Sequence, residues 1–394
     1  MSAPLAVVHL SVVHPPDEPR IYERECRTLA QAGYDVTYLA PGATPGRGDD
    51  GVRLAPLPRR PRSQRWRDVV EIAAALRRLR PFVVHVHDPE LLMLLPLLRP
   101  FVPRLVADVH EYLPEQVLAK EYIPAAVRPA VSQASALALR GLAAWADGVV
   151  VAYPGMLRQI GPRPPLQMVA PNYPRLAEFE GAAPMPDVAA DGRLRLAYIG
   201  GLSRMRGCAV MLDVMARLDA GDALLVLGGG FAAPDLERET LARLEGGLSD
   251  RVLFLGRVPR TQVPRYLASV DVVWNPMMPS VQYALPSVET KVYEGAAAGV
   301  AVLSSDLPDR DLVVREGFGI TVPPTVEGHL GGVRRLLADR EALRAMGERG
   351  RAAARERYSW EAVEGQLVEF YARLCSTPRR SPCRPTGPAG TPTR

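Results

Sequence analysis

The residues best suited to bind an anionic ligand lie in one stretch, residues 284–306. A polar loop ends at Ser287, and the short helix that follows carries Lys291 and Glu294 into a run of alanine and glycine. The apolar run Val300–Leu303 comes next and is typical of a buried parallel strand. The first N–H groups of a helix have no partner within the helix, so they attract anions. The stretch therefore predicts an anion site with a lysine and a carboxylate close by.

Two side chains favour a nucleotide as that ligand. The Glu294 carboxylate can accept hydrogen bonds from both hydroxyls of a ribose, although it could instead form a weak ion pair with Lys291, three residues earlier. Arg206 stands directly before Gly207 at a predicted helix start, where a cation opposes the helix dipole unless an anion such as a diphosphate lies nearby. The alternative for Arg206 is simple exposure to solvent. Our working hypothesis is a site for the nucleotide half of a nucleotide-sugar.

Glycines follow two predicted strands of the second half of the chain. Gly200 and Gly201 come after Arg195–Ile199, and residues 228–230 come after Ala223–Leu227. Without a Cβ atom these residues let the backbone approach a bulky ligand. Neither group fits G-x-G-x-x-G or G-x-x-x-x-G-K-[ST], so their spacing does not by itself define a dinucleotide site or a P-loop.

Five of the six histidines lie in the N-terminal half of the chain. His14, His87 and His110 each fall at, or just past, the end of a separate predicted parallel strand. Ligands of open α/β sheets bind outside the carboxyl ends of the strands, so we expect these imidazoles, with Asp88 and Glu111, to form one functional edge. Histidine and carboxylates also suit zinc. No closely spaced H-x-x-x-H pair supports a metal, and we expect none.

The order of predicted elements indicates two doubly wound α/β domains. Strand, helix and strand alternate from residue 5 onwards, which predicts parallel sheets with right-handed crossovers. Residues 1–175 form the first predicted domain, a linker rich in proline, alanine and glycine covers 176–192, and the second domain covers 193–358. Paired domains of this kind bind ligands in the cleft between them.

A strongly basic segment, residues 59–80, includes the predicted helix Trp66–Leu79 and eight arginines. One interpretation is a solvated outer helix face. The other is a patch for anionic lipid or an anionic acceptor. The apolar runs of the chain are too short to span a bilayer, which takes about 20 residues.

Composition narrows the partners and the compartment. Residues 376–394 contain four arginines and no acid, and without them the net charge falls from +5 to +1. This tail is predicted to be disordered, and nucleic acid is not an expected partner. The four cysteines are scattered (Cys26, Cys208, Cys375 and Cys383), which argues against a disulfide framework and fits a reducing cytoplasm. We expect no signal peptide.

In this order, the motifs of residues 5–375 resemble the bacterial group 1 (family 4) glycosyltransferases. They are His14-Pro15-Pro16-x3-Arg20-Ile21, Glu25-Cys26-Arg27-x-Leu29-Ala30-x-Ala32-Gly33, His87-Asp88-Pro89-Glu90-Leu91-Leu92, Asp108-Val109-His110-Glu111, Tyr198-x-Gly200-Gly201-x5-Gly207, Lys291-x-Tyr293-Glu294-x4-Gly299-Val300-x-Val302 and Tyr358-Ser359-Trp360. Each motif is loose alone, but the series is specific.

The resemblance implies a GT-B fold, with two facing Rossmann-like domains, and sugar transfer with retention at the anomeric carbon and no metal or other cofactor. It implies that Glu294 holds the ribose, that Arg206 holds the diphosphate beside the Gly200–Gly201 turn, and that the catalytic His110 lies beside the transferred sugar. The acceptor side of the cleft would include His14, Arg20, His87, Asp88 and Glu111. The final helix, within 359–375, would return to the first domain.

Two positions depart from the family pattern. The first of the family's paired glutamates would fall at residue 286, which is Pro286 here, and the usual arginine after the first glycine is Gly201. That glutamate normally helps to hold the donor sugar. Our hypothesis is that Lys291 supplies the missing positive charge.

The predicted function is transfer of a hexosyl-type sugar to a carbohydrate, a lipid-linked acceptor or a natural product. We expect a cytoplasmic protein, with peripheral contact to the inner face of the membrane through residues 59–80 as one alternative. Two other functions stay open on the same fold. A nucleotide-sugar 2-epimerase would need no acceptor, and a non-catalytic partner subunit would bind the donor without turnover.

Overall fold

The protein contains two mainly parallel β-sheets, each covered by helices on both faces. The structure, a computed structural model, describes residues 3–377 except 111–112, 120–122, 162–163, 189 and 281–286. Glu111, Pro286 and residues 378–394 of the tail lie outside the described residues. Within the part that is described, no helix is long and apolar enough to cross a bilayer.

The first sheet has eight strands in the order β3-β4-β2-β1-β5-β6-β7-β8, and only the β3–β4 pair is antiparallel. Its central strand β1 is apolar and buried, as a strand covered on both faces must be. The strands are β1 (Ala6–Leu10), β2 (Asp35–Pro41), β3 (Gly46–Arg47), β4 (Arg53–Leu57), β5 (Val83–Val86), β6 (Arg104–Val109), β7 (Gly148–Val151) and β8 (Leu166–Val169).

Helix α1 begins as a π-helix over Pro19–Cys26 and continues as an α-helix over Arg27–Gln31. Gly33, with φ of +91°, follows its end, in agreement with the predicted stop. A 3₁₀ turn over Arg62–Arg67 leads into α2. The other helices of this half are α2 (Asp68–Leu79), α3 (Pro89–Leu92), α4 (Leu95–Leu98), α5 (Leu113–Ala119), α6 (Arg128–Ala143) and α7 (Pro154–Ile160).

The second sheet has six parallel strands in the order β11-β10-β9-β12-β13-β14. The strands are β9 (Leu194–Ile199), β10 (Ala223–Gly228), β11 (Val252–Gly256), β12 (Val272–Asn275), β13 (Ala301–Ser305) and β14 (Gly319–Val322). The helices are α8 (Cys208–Ala216), α9 (Pro234–Arg243), α10 (Val263–Leu267), α11 (Thr290–Ala298), α12 (Leu312–Arg315), α13 (Val326–Ala338), α14 (Arg340–Glu356) and α15 (Trp360–Ser376), with a π-helical turn at Leu244–Leu248 and 3₁₀ turns at Leu176–Glu178 and Arg260–Gln262.

In both sheets the strand order reverses next to the first strand, between β1 and β5 and between β9 and β12. The chain leaves a crevice at such a switch point, outside the carboxyl ends of the strands. The prediction of two doubly wound α/β sheets is confirmed. Strands β3, β4 and β8 were not predicted, because they are short and lie at or near the edges, where half-exposed residues blur the apolar pattern.

The described residues between β8 and β9 form no strand of either sheet, and the predicted linker lies in this part of the chain. The exact domain boundaries stay predictions. Helix α15 packs on the first sheet, where Trp360, Leu367, Phe370 and Tyr371 join the core formed with α1, β1 and β2. The Trp360 indole donates a hydrogen bond to Thr28 Oγ1 at 2.8 Å. The C-terminal end of the described chain is thus anchored on its N-terminal half.

We predict that Trp360→Ala destabilises the protein by about 3–5 kcal/mol, because the indole is 0% exposed and its removal leaves a cavity under α15. Urea denaturation measures this change. The control is Trp66→Ala, since Trp66 is 70% exposed, and it should change the stability by less than about 0.5 kcal/mol. Equal effects of the two substitutions would contradict the packing of α15 described above.

Candidate functional site

A cleft of about 1020 Å³ opens at the carboxyl ends of both sets of strands. His110 and Tyr153 follow β6 and β7 of the first sheet, and Gly200 and Gly229 follow β9 and β10 of the second. The predicted donor-side residues line this same cleft with His110: they are Gly200, Gly201, Arg206, Lys291 and Glu294. The structure therefore brings together the residues that sequence analysis assigned to the nucleotide and to the transferred sugar.

Two glycines of the second sheet allow the loops after β9 and β10 to touch. A Cβ atom on Gly229 would lie 1.8 Å from the carbonyl oxygen of Gly200. Lys291 and Arg206 border the same turn, since a Cβ atom on Gly200 would lie 3.7 Å from Lys291 Nζ, and one on Gly201 would lie 2.8 Å from Arg206 Nη1. The small residue at 201 thus makes room for the guanidinium of Arg206, and two cations lie at one turn.

Helix α11 presents Lys291 and Glu294 to the cleft. Lys291 Nζ lies 4.4 Å from the centroid of the Tyr198 ring, a cation–π distance. Glu294 is buried and forms an ion pair with Arg260, whose guanidinium also donates to Glu178 Oε2 at 3.0 Å. Arg260 itself lines the cleft. Sequence analysis missed Arg260, because its partners lie 34 and 82 residues away in sequence.

A buried ion pair holds the loop in front of α11. Glu289 lies at the N-cap position of α11 and pairs with Arg310, which is fully buried. The Asn275 amide donates to Glu289 Oε2 at 2.9 Å. Although burial alone would raise the pKa of Glu289, Arg310 holds that pKa below its usual value, so the carboxylate is charged. This pair, which sequence analysis did not identify, ties α11 to β12 and to the segment before α12.

The histidines of the first sheet do meet at one edge, as predicted. His14 Nε2 lies 3.4 Å from Asp88 Oδ1, and the ring centroids of His14 and His110 are 5.2 Å apart. His87 Nδ1 lies 3.3 Å from His110 Nε2. Half-buried His110 is the one of these four residues that lines the cleft.

The expectation that Arg20, His87 and Asp88 face a ligand in the cleft is wrong, because all three side chains are buried beneath it. The Asp88 carboxylate accepts hydrogen bonds from the backbone N–H groups of Val12 at 2.6 Å and Val13 at 3.3 Å, which fixes the loop that carries His14. These residues support the cleft from below.

Arg20 forms a bidentate hydrogen-bonded ion pair with the carboxylate of Asp108. Its Nη2 donates to Oδ1 at 2.8 Å and its Nε donates to Oδ2 at 3.0 Å. The same guanidinium donates to the carbonyl oxygen of Ala170 and to Asn172 Oδ1, at the start of the segment that leads to the second sheet. Arg20 thus joins strand β6 to the connection between the two sheets.

Four further buried residues were given no role by sequence analysis, although two of them stand in its motifs: His9, Glu25, His85 and Asp108. His9 lies directly opposite His85 in the β1–β5 register. His87 is the first residue after β5, two positions beyond His85, so extended backbone would turn both side chains to the same face. The H-x-H spacing on a predicted strand was the available signal. Burial lowers the pKa of His9 and His85, and it lowers that of His87 to about 4, so these imidazoles are neutral at pH 7.

Two groups of described residues have donor atoms close enough to hold a metal ion. They are His9, Glu25, His85 and His87, and His87, Asp108 and His110, with donor atoms within 4.8 Å of one another. Histidine nitrogens and carboxylates are the donors that zinc prefers. The first group is completely buried, and both oxygens of Glu25 lack a hydrogen-bond partner among the described residues.

Comparison with known proteins agrees with the two-sheet architecture. Residues 20–173 match the model of a glycosyl transferase 4-like domain, and residues 193–339 match that of glycosyl transferases group 1. The chain belongs to the group 1 glycosyltransferases. The first match covers strands β2 to β8 and the second covers β9 to β14, and the cleft is lined by His110 of the first and by Arg206 and Glu294 of the second.

Part of the chain also resembles curated glycosyltransferases in sequence. A D-inositol 3-phosphate glycosyltransferase from Nocardia farcinica is 30% identical over 197 residues, which are 46% of this chain and 41% of that protein. A GDP-mannose-dependent alpha-(1-6)-phosphatidylinositol monomannoside mannosyltransferase from Mycobacterium tuberculosis is 29% identical over 204 residues, 47% of this chain and 51% of that protein. The chain thus spans about half the length of the curated relatives it matches.

The solved structures support the fold over nearly the whole chain. Sucrose-phosphate synthase from Thermosynechococcus elongatus superimposes with a TM-score of 0.76 at 21% identity, covering 94% of this chain and 99% of that one. The predicted GT-B fold is therefore confirmed.

Proposed function

We propose that the protein transfers a hexosyl-type sugar from a nucleoside-diphosphate sugar to an acceptor hydroxyl, with retention of the anomeric configuration and without a metal or other cofactor. The observation that carries this proposal is the cleft in which Arg206, Lys291 and Glu294 of one sheet meet His110 of the other. Both relatives described above are named as transferases of sugars, and one is named as dependent on GDP-mannose.

In this proposal the nucleotide binds to the second sheet. Glu294 accepts hydrogen bonds from the ribose hydroxyls, and Arg206 and Lys291 hold the diphosphate beside the Gly200–Gly201 turn. Two cations beside a turn free of side chains suit a diphosphate, because the phosphate oxygens need both charge and close approach. Arg260 forms an ion pair with Glu294, so the ribose hydroxyls would share this carboxylate with the guanidinium.

The chemical step follows from where charge develops. As the bond to the sugar breaks, negative charge grows on the leaving diphosphate, and the cations Arg206 and Lys291 stabilise it. The acceptor hydroxyl attacks from the same face and passes its proton to the leaving phosphate. Glu289 and Glu294 are each neutralised by an arginine, so neither carboxylate is placed as a free nucleophile.

A lipid-linked acceptor is favoured over a soluble carbohydrate or natural product by an exposed apolar and basic patch. Trp66 and Val70, one helical turn apart, are 70% and 73% exposed, and Met93 on the neighbouring segment is 68% exposed. The Arg65 guanidinium joins the two segments by donating to Glu90 Oε1 at 3.2 Å. Apolar side chains amid arginines suit the surface of an anionic membrane, and the M. tuberculosis relative is named for a phosphatidylinositol acceptor.

The proposed reaction is tested with the purified protein. A thermal-shift panel of nucleoside-diphosphate sugars first selects the donor, since a bound ligand raises the melting temperature. The donor is then incubated with and without phosphatidylinositol vesicles, an inositol phosphate or a free disaccharide. We expect release of the nucleoside diphosphate only with an acceptor. An epimerised donor without release indicates a 2-epimerase, and donor binding without turnover indicates a partner subunit; either result overturns the proposal.

Glu294→Gln should weaken donor binding about 10- to 150-fold, because hydrogen bonds to a charged acceptor contribute about 1.5–3 kcal/mol. Isothermal calorimetry measures the change. The matched control is Glu178→Gln, which removes the other carboxylate partner of Arg260 but does not line the cleft, and it should leave the affinity within about twofold. Unchanged affinity in Glu294→Gln would refute the ribose contact.

The membrane patch is tested by flotation with vesicles that contain phosphatidylglycerol. Neutralising the exposed Arg77 and Arg78 together should weaken binding about 30-fold, since each cation near an anionic surface contributes about 1 kcal/mol. Trp66→Ala should weaken it further. Leu137→Ser is the control, because Leu137 is 68% exposed but lies on α6, outside the patch. Vesicle binding that changes neither on loss of Arg77 and Arg78 nor on Trp66→Ala would contradict the proposed patch.

A further inference from the structure

Four N–H donors converge on one buried carboxylate under the cleft, that of Asp108. Arg20 supplies two of them, to Oδ1 and Oδ2. His87 Nδ1 lies 3.0 Å from Oδ2, and His110 Nε2 lies 2.6 Å from the same oxygen. A carboxylate that collects this many donors is stabilised in its ionised form. Arg20, Asp108 and His87 are all buried, so solvent does not compete for these bonds.

The negative charge of the cluster lies on Asp108. Burial raises the pKa of Glu25, which lies close to the same arginine, with Glu25 Oε1 3.5 Å from Arg20 Nε. Although burial would also raise the pKa of Asp108, Arg20 and His110 hold it well below its usual value. Burial and the nearby charge of Asp108 therefore favour the protonated form of Glu25, and Asp108 carries the charge that Arg20 compensates.

An ionised carboxylate only accepts hydrogen bonds, and this settles the protons on both imidazoles. His87 carries its proton on Nδ1, and His110 carries its proton on Nε2, because these nitrogens face Asp108 Oδ2. Burial lowers the pKa of His110, so its ring is neutral and has one proton. Nδ1 of His110 is therefore unprotonated.

A second histidine supports the same arrangement. Since His87 donates through Nδ1, its Nε2 is an acceptor, and His9 Nδ1 lies 2.9 Å from it. The His9 and His87 rings are inclined by only 16°, with centroids 5.1 Å apart. This geometry is that of two rings joined edge to edge by a hydrogen bond. His9, His87, Asp108 and His110 form one chain whose donors all point towards Asp108.

We propose that Asp108 is a positioning residue that fixes His110 in the tautomer with Nε2 protonated, leaving Nδ1 to accept a hydrogen bond from a hydroxyl of the sugar in the cleft. This inference rests on the proposed transfer function for its ligand but not for its geometry. Arg20 and His87 keep Asp108 in place. If His110 were protonated on Nδ1 instead, the lone pair of its Nε2 would face the Asp108 carboxylate. Its Nδ1 could then no longer accept a hydrogen bond from the sugar.

A metal ion is the competing explanation for this cluster. Ligands of a tetrahedral zinc ion, at about 2.0–2.1 Å from the metal, lie about 3.3 Å apart. His9 Nδ1 and His87 Nε2 are 2.9 Å apart, which matches a hydrogen bond better. His85 Nδ1 is already engaged with the hydroxyl of Tyr371 at 2.9 Å. In the group that contains Asp108, the 2.6 Å between His110 Nε2 and Asp108 Oδ2 also matches a hydrogen bond, whereas the 3.3 Å between His87 Nδ1 and His110 Nε2 fits either arrangement. Metal analysis of the purified protein distinguishes the two.

The tautomer is measured directly on the full-length wild-type protein without ligand. Long-range ¹H–¹⁵N correlation spectra of ¹⁵N-histidine-labelled protein separate protonated from unprotonated ring nitrogens, and His110→Gln identifies the His110 signals. We expect a single Nε2–H tautomer for His110 and an Nδ1–H tautomer for His87. An Nδ1–H tautomer or a fast mixture at His110 would overturn the proposal, as would one equivalent of zinc in metal analysis of the purified protein.

Asp108→Asn tests the consequence for turnover. Loss of the fixed tautomer should lower kcat by about 10²-fold or more, with the donor KM within about twofold, because the nucleotide contacts lie on the other sheet. The spectrum of this variant should show His110 in both tautomers. Unchanged kcat in a folded Asp108→Asn variant would count against the proposal, and the wild-type spectrum decides it if the variant does not fold.

Glu25→Gln is the matched control, since it exchanges one neutral buried group of this cluster for another and leaves the four donors to Asp108 in place. It should retain the wild-type His110 signals. The tautomer measured for His110 does not depend on the proposed transfer function. If no nucleoside-diphosphate sugar binds, the transfer reaction fails while the tautomer result stands; if donor binds and turns over but His110 is in the other tautomer, only this inference fails.

Discussion

The buried ion pair between Arg20 and Asp108 is the interaction on which the functional edge of the first sheet depends. Breaking a buried pair by removing one partner costs about 3–5 kcal/mol, because a charge is left without compensation. Here the pair also orders its surroundings: Asp108 aligns His87 and His110, and Arg20 contacts Ala170 and Asn172 beyond the sheet. One charge balance therefore sets both the imidazole in the cleft and the start of the connection to the second sheet.

The second sheet builds its half of the cleft from close backbone contacts as well as from a buried ion pair. Gly229 and Gly200 let two loops meet, and the space above Gly201 admits Arg206. A second buried pair, Glu289 with Arg310, fixes the loop before α11. One half of the cleft thus carries Arg206 and Lys291, and the other presents the neutral imidazole of His110, a division that suits the donor proposed above.

Much of the fold and about half of the site followed from local patterns. Apolar runs predicted the central strands, and glycines marked turns such as that at Gly200. Six residues that line the cleft were identified because strand ends and helix starts are readable in sequence: His110, Gly200, Gly201, Arg206, Lys291 and Glu294. Sequence analysis placed Arg20, His87 and Asp88 at the correct edge of the first sheet but expected them to line the cleft, whereas their side chains are buried. Sequence periodicity states which face of a strand a residue is on, but not how much of the chain will cover that face.

The sequence by itself determined the two α/β halves, the family and the residues that meet at the strand ends. The folded structure alone shows that Arg20 faces Asp108, that Arg260 pairs with Glu294, and that the Trp360 indole bonds to Thr28. The partners in these contacts are 34 to more than 300 residues apart in sequence. Such pairings depend on burial and on the balance of charge in a closed interior, and neither exists until the chain has folded.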